Sequence, residues 1–258
     1  MTVHSGVEEE RPLPEQAPMQ EIWGVIGGMG PFASAEFIKT IYELGCERRE
    51  QEMPEVMLLS DPTMPDRTTC FREGCSYILA QRLEMSIRQL ESLGVTNIVV
   101  CCLTIHHALH LLPGNLQRKI LSLVELIHSA VIRSQRMHLL LCTSGAREMQ
   151  VFESHPLWEQ GSKHITMPSA TDQDAIHQVI YRIKRNIHKN SDIELLQRLQ
   201  DRYGTDVVIG GCTEFHLMAK RMLGAGDDRV QWLDPLQIAA TRIVHGSFLE
   251  KATICAAG

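Results

Sequence analysis

Short aliphatic runs alternate along this chain with longer stretches whose apolar residues recur every three or four positions. EIWGVIG (21–27) is a compact apolar run ending in glycines, the pattern of a buried strand and its turn. From Ala33 to Leu44, the positions Phe37, Ile38, Ile41 and Leu44 fall at helical spacing. EVMLLS (55–60) reads as a strand, followed by DPTMPDRT (61–68), a loop with two prolines. Ile78, Leu79, Leu83, Ile87 and Leu90 make a helical stripe over 76–92, closed by Gly94. NIVVCC (97–102) is a strand, and the spacing predicts one long helix from Leu116 to Ser134. HLLLCTSG (138–145) is a strand running into a small-residue turn. Helices are expected over 173–188 and 192–203, strands at 207–211 and 230–235, and a last helix over 236–250.

Strands that are apolar throughout and separated by helices imply parallel sheets covered on both faces. An internal repeat divides the pattern. GVTNIVVCCLTIH (94–106) and GTDVVIGGCTEFH (204–216) each open on a glycine and deliver a cysteine eight residues later, Cys102 and Cys212. Thr104 and Thr213 follow closely, and His106 and His216 nearly match. The fold class expected is α/β, with two pseudo-symmetric, doubly wound parallel-sheet domains and the active site in the cleft between them. The divisions expected are a flexible tail over 1–19, a first domain over 20–125 and a second over 126–229, with 230–258 packing back on the first. Ligands of open α/β sheets bind beyond the carboxyl ends of the strands. Both cysteines, the GGMG turn and the TSG turn converge there.

Composition narrows the function. The 258 residues are 44% hydrophobic and 22% charged, ordinary for a soluble globular protein. A net charge of −6, with no basic stripe interleaved with aromatics, gives no footprint for nucleic acid. No apolar run is long enough to span a bilayer. The acidic, proline-rich start lacks the basic and apolar regions of a signal peptide, so the expected location is cytoplasmic. The eight cysteines are then reduced thiols, and with no CxxC pair they do not read as metal ligands.

A thiol at a strand end is ordinarily a small buried apolar residue, and Cys46, Cys70, Cys75, Cys101, Cys142 and Cys255 fit that description. The matched pair Cys102 and Cys212 does not, because duplicated placement at a sheet edge is hard to obtain by chance. Sulfur on either side of a carbon suits transfer of a proton from one face to the other. A thiolate becomes available near neutrality after a small shift from about 8.5, and two such groups titrate as a coupled pair. Threonine hydroxyls and glycine-turn N–H groups are suited to a carboxylate. Arg67 offers a planar fork for another, or is a solvated loop arginine. His106 and His216 either orient their thiols or are satisfied by local partners. GGMGP is not GxGxxG and no Walker lysine is present, so no cofactor is expected.

These motifs together resemble the aspartate/glutamate racemase family, specifically its aspartate racemase branch, over essentially all of residues 21–245. IGGMGP (26–31) is similar to the branch's opening turn, DPTMPDRT to its arginine loop, CLTIH (102–106) to the family CNTAH box and GCTE (211–214) to its second cysteine box. The resemblance implies racemisation without pyridoxal phosphate, with Cys102 and Cys212 as the acid/base pair, and a homodimer. It implies a small acidic amino acid as substrate, aspartate or also glutamate. Thr104 and Thr213 would hold its α-carboxylate, and Arg67 and Lys184 its side-chain carboxylate. Met29 of the opening turn and Thr143 of the TSG turn would line the site. Glu214 and His106 would support the cysteines. Two positions depart from the pattern. Leu103 stands where the family has an asparagine that helps hold the amino acid, and Ala146 where the branch often has threonine. The alternatives are a two-cysteine isomerase of a dicarboxylate, a decarboxylase of a malonate-like acid, and a catalytically quiet amino-acid-binding homologue.

Overall fold

The computed structural model describes residues 21–246. The tail expected over 1–19, Cys255 and the end of the last expected helix lie outside the described residues. In chain order the elements are β1 (Ile22–Gly27), α1 (Pro31–Leu44), β2 (Glu55–Ser60), α2 (Arg67–Arg72), α3 (Ser76–Ser92), β3 (Asn97–Val100), α4 (Gly114–Gln117) and α5 (Leu123–Ser134). They continue as β4 (His138–Cys142), α6 (Ser144–Glu148), α7 (Trp158–Gly161), β5 (Ile165–Thr166), α8 (Ala170–Lys184), α9 (Asn190–Tyr203), β6 (Val207–Gly211), α10 (Glu214–Gly224), β7 (Trp232–Leu233) and α11 (Pro235–His245).

The strands form two all-parallel sheets, ordered β2-β1-β3 and β5-β4-β6-β7. The repeat seen in sequence is a repeat in register. Val99 pairs with Val25 of β1, and Ile209, in the matching place after its glycine, pairs with Leu140 of β4. Ile98 makes an isolated parallel bridge to Ile120, where in the second sheet Val208 and Ile209 pair with β7. Gly94 and Gly204 both adopt positive φ, 87° and 59°, a conformation that favours glycine as the chain turns from helix into strand.

Successive strand residues point to opposite faces, and the core divides accordingly. Val25 and Val99 of the first sheet join Leu140, Cys142 and Ile209 of the second in a shared central cluster. Ile26, Ile98 and Val100 face a cluster of their own with Leu79, Leu83 and Ile87. Leu139, Leu141 and Val208 face another with Ile176, Ile180 and Leu196. β7 extends the second sheet, while α11 packs on α1 and α5.

Several boundaries differ from the expectation. The helix expected over 116–134 is two, α4 and α5. Between them the chain drops to β3, with Ile98 N–H bonded to the Lys119 carbonyl and Leu121 N–H to the Ile98 carbonyl, both at 2.8 Å. Ser122 then caps α5 by accepting from Glu125 N–H at 3.2 Å. Ser122 and Glu125 stand in capping-box spacing, a start signal that the longer apolar periodicity hid. The loop expected through residue 68 ends in α2, which Asp66 caps through Thr69 N–H at 3.0 Å. α8 begins at its Ser169 cap, earlier than expected, and ends at Lys184.

Candidate active site

Both sheets deliver their cysteines just past a strand end. β3 stops at Val100, and Cys102 turns its N–H back to the Val100 carbonyl at 2.8 Å. β6 stops at Gly211, and Cys212 opens the turn into α10. The two boxes touch directly, with the Thr213 hydroxyl donating to the Cys101 carbonyl at 3.4 Å. Both thiols are buried, Cys102 in the first sheet's outer cluster and Cys212 in the second's. The charged groups coupled electrostatically to these thiols are Arg67, Lys184 and Glu214.

Arg67 is the first residue of α2 and is buried. Its guanidinium donates to the carbonyls of Met29 at 2.7 Å and Pro65 at 3.0 Å, while Nε has no partner. Burial works against its charge, but nearby Cys102, Asp66 and Glu214 outweigh that and hold it more firmly protonated. The fork is aimed by backbone carbonyls, and an unused donor remains to offer. Met29 takes part through its carbonyl, with its side chain in the first sheet's outer cluster.

Glu214 is fully buried on the first turn of α10. Its Oε2 accepts from the Cys212 thiol at 2.7 Å and from the Thr213 hydroxyl at 3.5 Å. Its Oε1 has no hydrogen-bond partner and lies 2.2 Å from where a Cβ on Gly30 would stand. Position 30, the residue before α1, is therefore glycine for space. Burial, then the Glu214 carboxylate, push the Cys212 thiol well above its ordinary range, with Lys184 opposing. Lys184 ends α8 with its ammonium 4.6 Å from the centroid of the Tyr181 ring. Burial pulls its pKa down, but Glu214 and Cys212 raise it further.

The hydroxyls of Thr104, after β3, and Thr143, after β4, meet at 2.9 Å. Thr143 also caps α6 through Ala146 N–H at 3.0 Å. Gly145 in that turn lies against α2, where a Cβ would come within 2.5 Å of the Thr68 hydroxyl. The chemistry available is a pair of buried thiols with a buried carboxylate, a buried guanidinium and the half-buried ammonium of Lys184. A cavity of about 940 Å³ elsewhere is lined by residues such as Ala130, Trp232 and Ile238, and by none of these groups.

A family described as Asp/Glu/hydantoin racemase matches residues 26–243. The chain belongs to that family. Among solved structures it resembles the Picrophilus torridus aspartate racemase, with a TM-score of 0.72 at 22% identity, covering 87% of this chain and 93% of the other. An aspartate racemase homologue from Pyrococcus horikoshii gives 0.62 at 23% identity, covering 88% and 98%. Glutamate racemase from Campylobacter jejuni gives 0.60 at 13%, covering 86% and 84%. At these identities the likeness speaks for the fold alone.

Within this racemase-family chain, the two expected departures share one environment. Leu103 and Ala146 are fully buried in the central apolar cluster with Cys101, Cys142 and Phe152. Cys101 thus faces away from Cys102, as strand alternation requires. Burial pushes Cys142 up to about 12 and Cys70 to about 11, which keeps both as neutral thiols.

Neither histidine of the repeat bonds to its cysteine. His106 is buried with neither ring nitrogen in a well-formed hydrogen bond, and burial holds it at about 4, which the Val100 carbonyl only partly offsets. His216 faces the other way, toward Thr40 and Asp234. Supporting residues that sequence reasoning missed are Gly30, Asp66 and Tyr181. The Tyr181 hydroxyl donates to Asp66 Oδ2 at 2.7 Å, tying the Arg67 loop to α8. Asp66 carried a signal, a capping residue ahead of a short helix; Tyr181 carried none, because its partner lies 115 residues away.

Proposed function

We propose that this protein is a cofactor-independent amino-acid racemase that interconverts L- and D-aspartate, with glutamate as the wider alternative, by two-base proton transfer between Cys102 and Cys212. The observation that carries the reading is two matched buried thiols in boxes that touch, with Thr213 reaching the Cys101 carbonyl and Cys212 donating to Glu214. The Glu214 carboxylate beside Cys212 favours its thiol form. Cys212 then serves as the acid and Cys102 as the base.

Deprotonated Cys102 takes the α-proton from one face of the substrate. The electron pair left on the α-carbon delocalises into the α-carboxylate. Cys212 then delivers its own proton to the opposite face. One proton leaves and one arrives, so the product differs only in handedness, and the thiols have exchanged states. Run backward, the same steps serve the other enantiomer. Thr104, Thr143 and Thr213 supply hydroxyls for the α-carboxylate. The free Nε of Arg67 and the ammonium of Lys184 are two cationic anchors, which suits a substrate with a second carboxylate. Exclusion of water strengthens each of these interactions.

The test is L-aspartate in deuterium oxide, with the α-proton followed by NMR and the enantiomers separated chromatographically. Loss of the α-proton with appearance of D-aspartate is expected. Cys102→Ser abolishes racemisation and leaves exchange at one face only. Folded protein that neither exchanges the proton nor forms the D-isomer sinks the reading.

A further inference from the structure

His216 is a buried histidine that the proposed mechanism does not use. Both of its ring nitrogens are engaged. Nδ1 lies 2.6 Å from Asp234 Oδ2, and Nε2 lies 2.9 Å from the Thr40 hydroxyl. A carboxylate can only accept, so Nδ1 carries its proton toward Asp234, and the Thr40 hydroxyl shares a hydrogen bond with Nε2. Asp234 is itself fixed, because its Oδ1 caps α11 by accepting from Leu236 N–H at 3.0 Å. Thr40 is fully buried in α1. The ring therefore bolts α10 to two elements, α1 from the first sheet's side and the start of α11.

The same α10 carries Glu214 two residues before His216, and Glu214 also reaches α1. Its Oε1 abuts Gly30 at the start of α1, and its Oε2 holds the Cys212 thiol. Farther along, Lys220 of α10 pairs with Glu43 of α1 at 2.5 Å, but both side chains are partly exposed and such a pair contributes little. Thr40–His216 is a buried hydrogen bond between α10 and α1.

We infer that His216, held between Asp234 and Thr40, is a positioning residue that keeps Glu214 seated on the Cys212 thiol by fixing α10 against α1. It acts through Glu214 and touches no substrate. The sequence repeat misleads at this position. His106 and His216 align, yet only His216 has both ring nitrogens in well-formed hydrogen bonds, and its partners, Thr40 of α1 and Asp234 ahead of α11, lie outside the repeat.

The role in turnover rests on the racemase reading, so the experiment has an arm that does not. Thr40→Val removes one hydroxyl at nearly constant volume, and Thr40→Ser restores it. Iodoacetamide labelling at pH 7.5, resolved by mass spectrometry, gives the rates at Cys212 and Cys102 in the same sample. In Thr40→Val the Cys212 rate should rise at least 3-fold relative to Cys102, on the order expected when a thiol loses a carboxylate that suppresses its ionisation. Thr40→Ser should return the ratio to that of the parent protein. In the racemase assay, Thr40→Val should lower kcat about 10-fold with KM within about 2-fold, since the Arg67 and Lys184 anchors are untouched. Equal acceleration at both cysteines would mean general loosening and would overturn the proposal. An unchanged ratio would also overturn it. A changed labelling ratio in protein inert toward aspartate would leave the positioning role standing and remove the aspartate reading.

Discussion

Gly30→Ala tests the geometry of the site with one added carbon. The backbone at residue 30 is extended, with φ −178° and ψ 93°, which alanine adopts freely, so any effect is one of space. The new Cβ would lie 2.2 Å from Glu214 Oε1 and 3.1 Å from Cδ. Carbon and oxygen need more than 3 Å, so the carboxylate must turn or withdraw by about 1 Å. Glu214 is fully buried and cannot swing into solvent. Its withdrawal loosens the 2.7 Å contact with Cys212. Overpacking of this kind costs about 1–3 kcal/mol, and partial relief by the carboxylate places the expectation near the low end. At roughly 2–4 °C per kcal/mol for a chain of this size, the melting temperature should fall by about 2–4 °C. Misplacing a reacting group by an ångström costs on the order of 100-fold in rate. The assay is conversion of L- to D-aspartate by chiral chromatography, with thermal unfolding followed by circular dichroism. A double-mutant cycle sharpens it. In a Glu214→Ala background the space is empty, so Gly30→Ala should cost almost nothing further in stability. Gly30→Ala protein with an unchanged melting temperature and kcat, or with a stability cost that persists after Glu214→Ala, refutes the placement of Glu214 against the start of α1.

Other expectations concern stability and binding. His106 is held at about 4 in the folded protein against 6.5 when exposed, so between those values the unfolded chain binds a proton that the folded one does not. Stability at neutral pH should therefore fall as pH drops from 6.5 toward 4, by about 3 kcal/mol for this residue. Urea unfolding of the parent and of His106→Leu at pH 7 and pH 5 checks it, with a smaller loss in the variant. Leu103→Asn places an amide in the apolar cluster around Cys142 and Phe152 and should cost about 2–4 kcal/mol, read as an earlier urea midpoint; a neutral outcome would place position 103 at the substrate. Tyr181→Phe removes the bond to Asp66 and should cost about 1 kcal/mol. It should raise KM for aspartate and leave kcat nearly intact, because the loop it releases carries Arg67.

The alternation of apolar strands and amphipathic helices determined the parallel α/β architecture, and the two glycine-to-cysteine repeats determined which thiols match. These were legible because strand burial and helical periodicity leave regular marks on a linear sequence, and because a duplication preserves spacing. The same periodicity misled between Leu116 and Ser134, where a bridge from Ile120 to Ile98 interrupts what looks like one helix. A pairing partner 22 residues back leaves no local mark. What each matched residue does was decided by tertiary structure. His106 and His216 occupy equivalent places in the repeat, yet one is buried with neither ring nitrogen in a well-formed hydrogen bond and the other is bolted between α1 and α11. The glycine at position 30 reads locally as a turn residue, and only the packing of α10 on α1 reveals that it makes room for Glu214. Hydrogen bonds and close approaches depend on distance in space, and residues far apart in sequence acquire that distance only when the sheets and helices have packed.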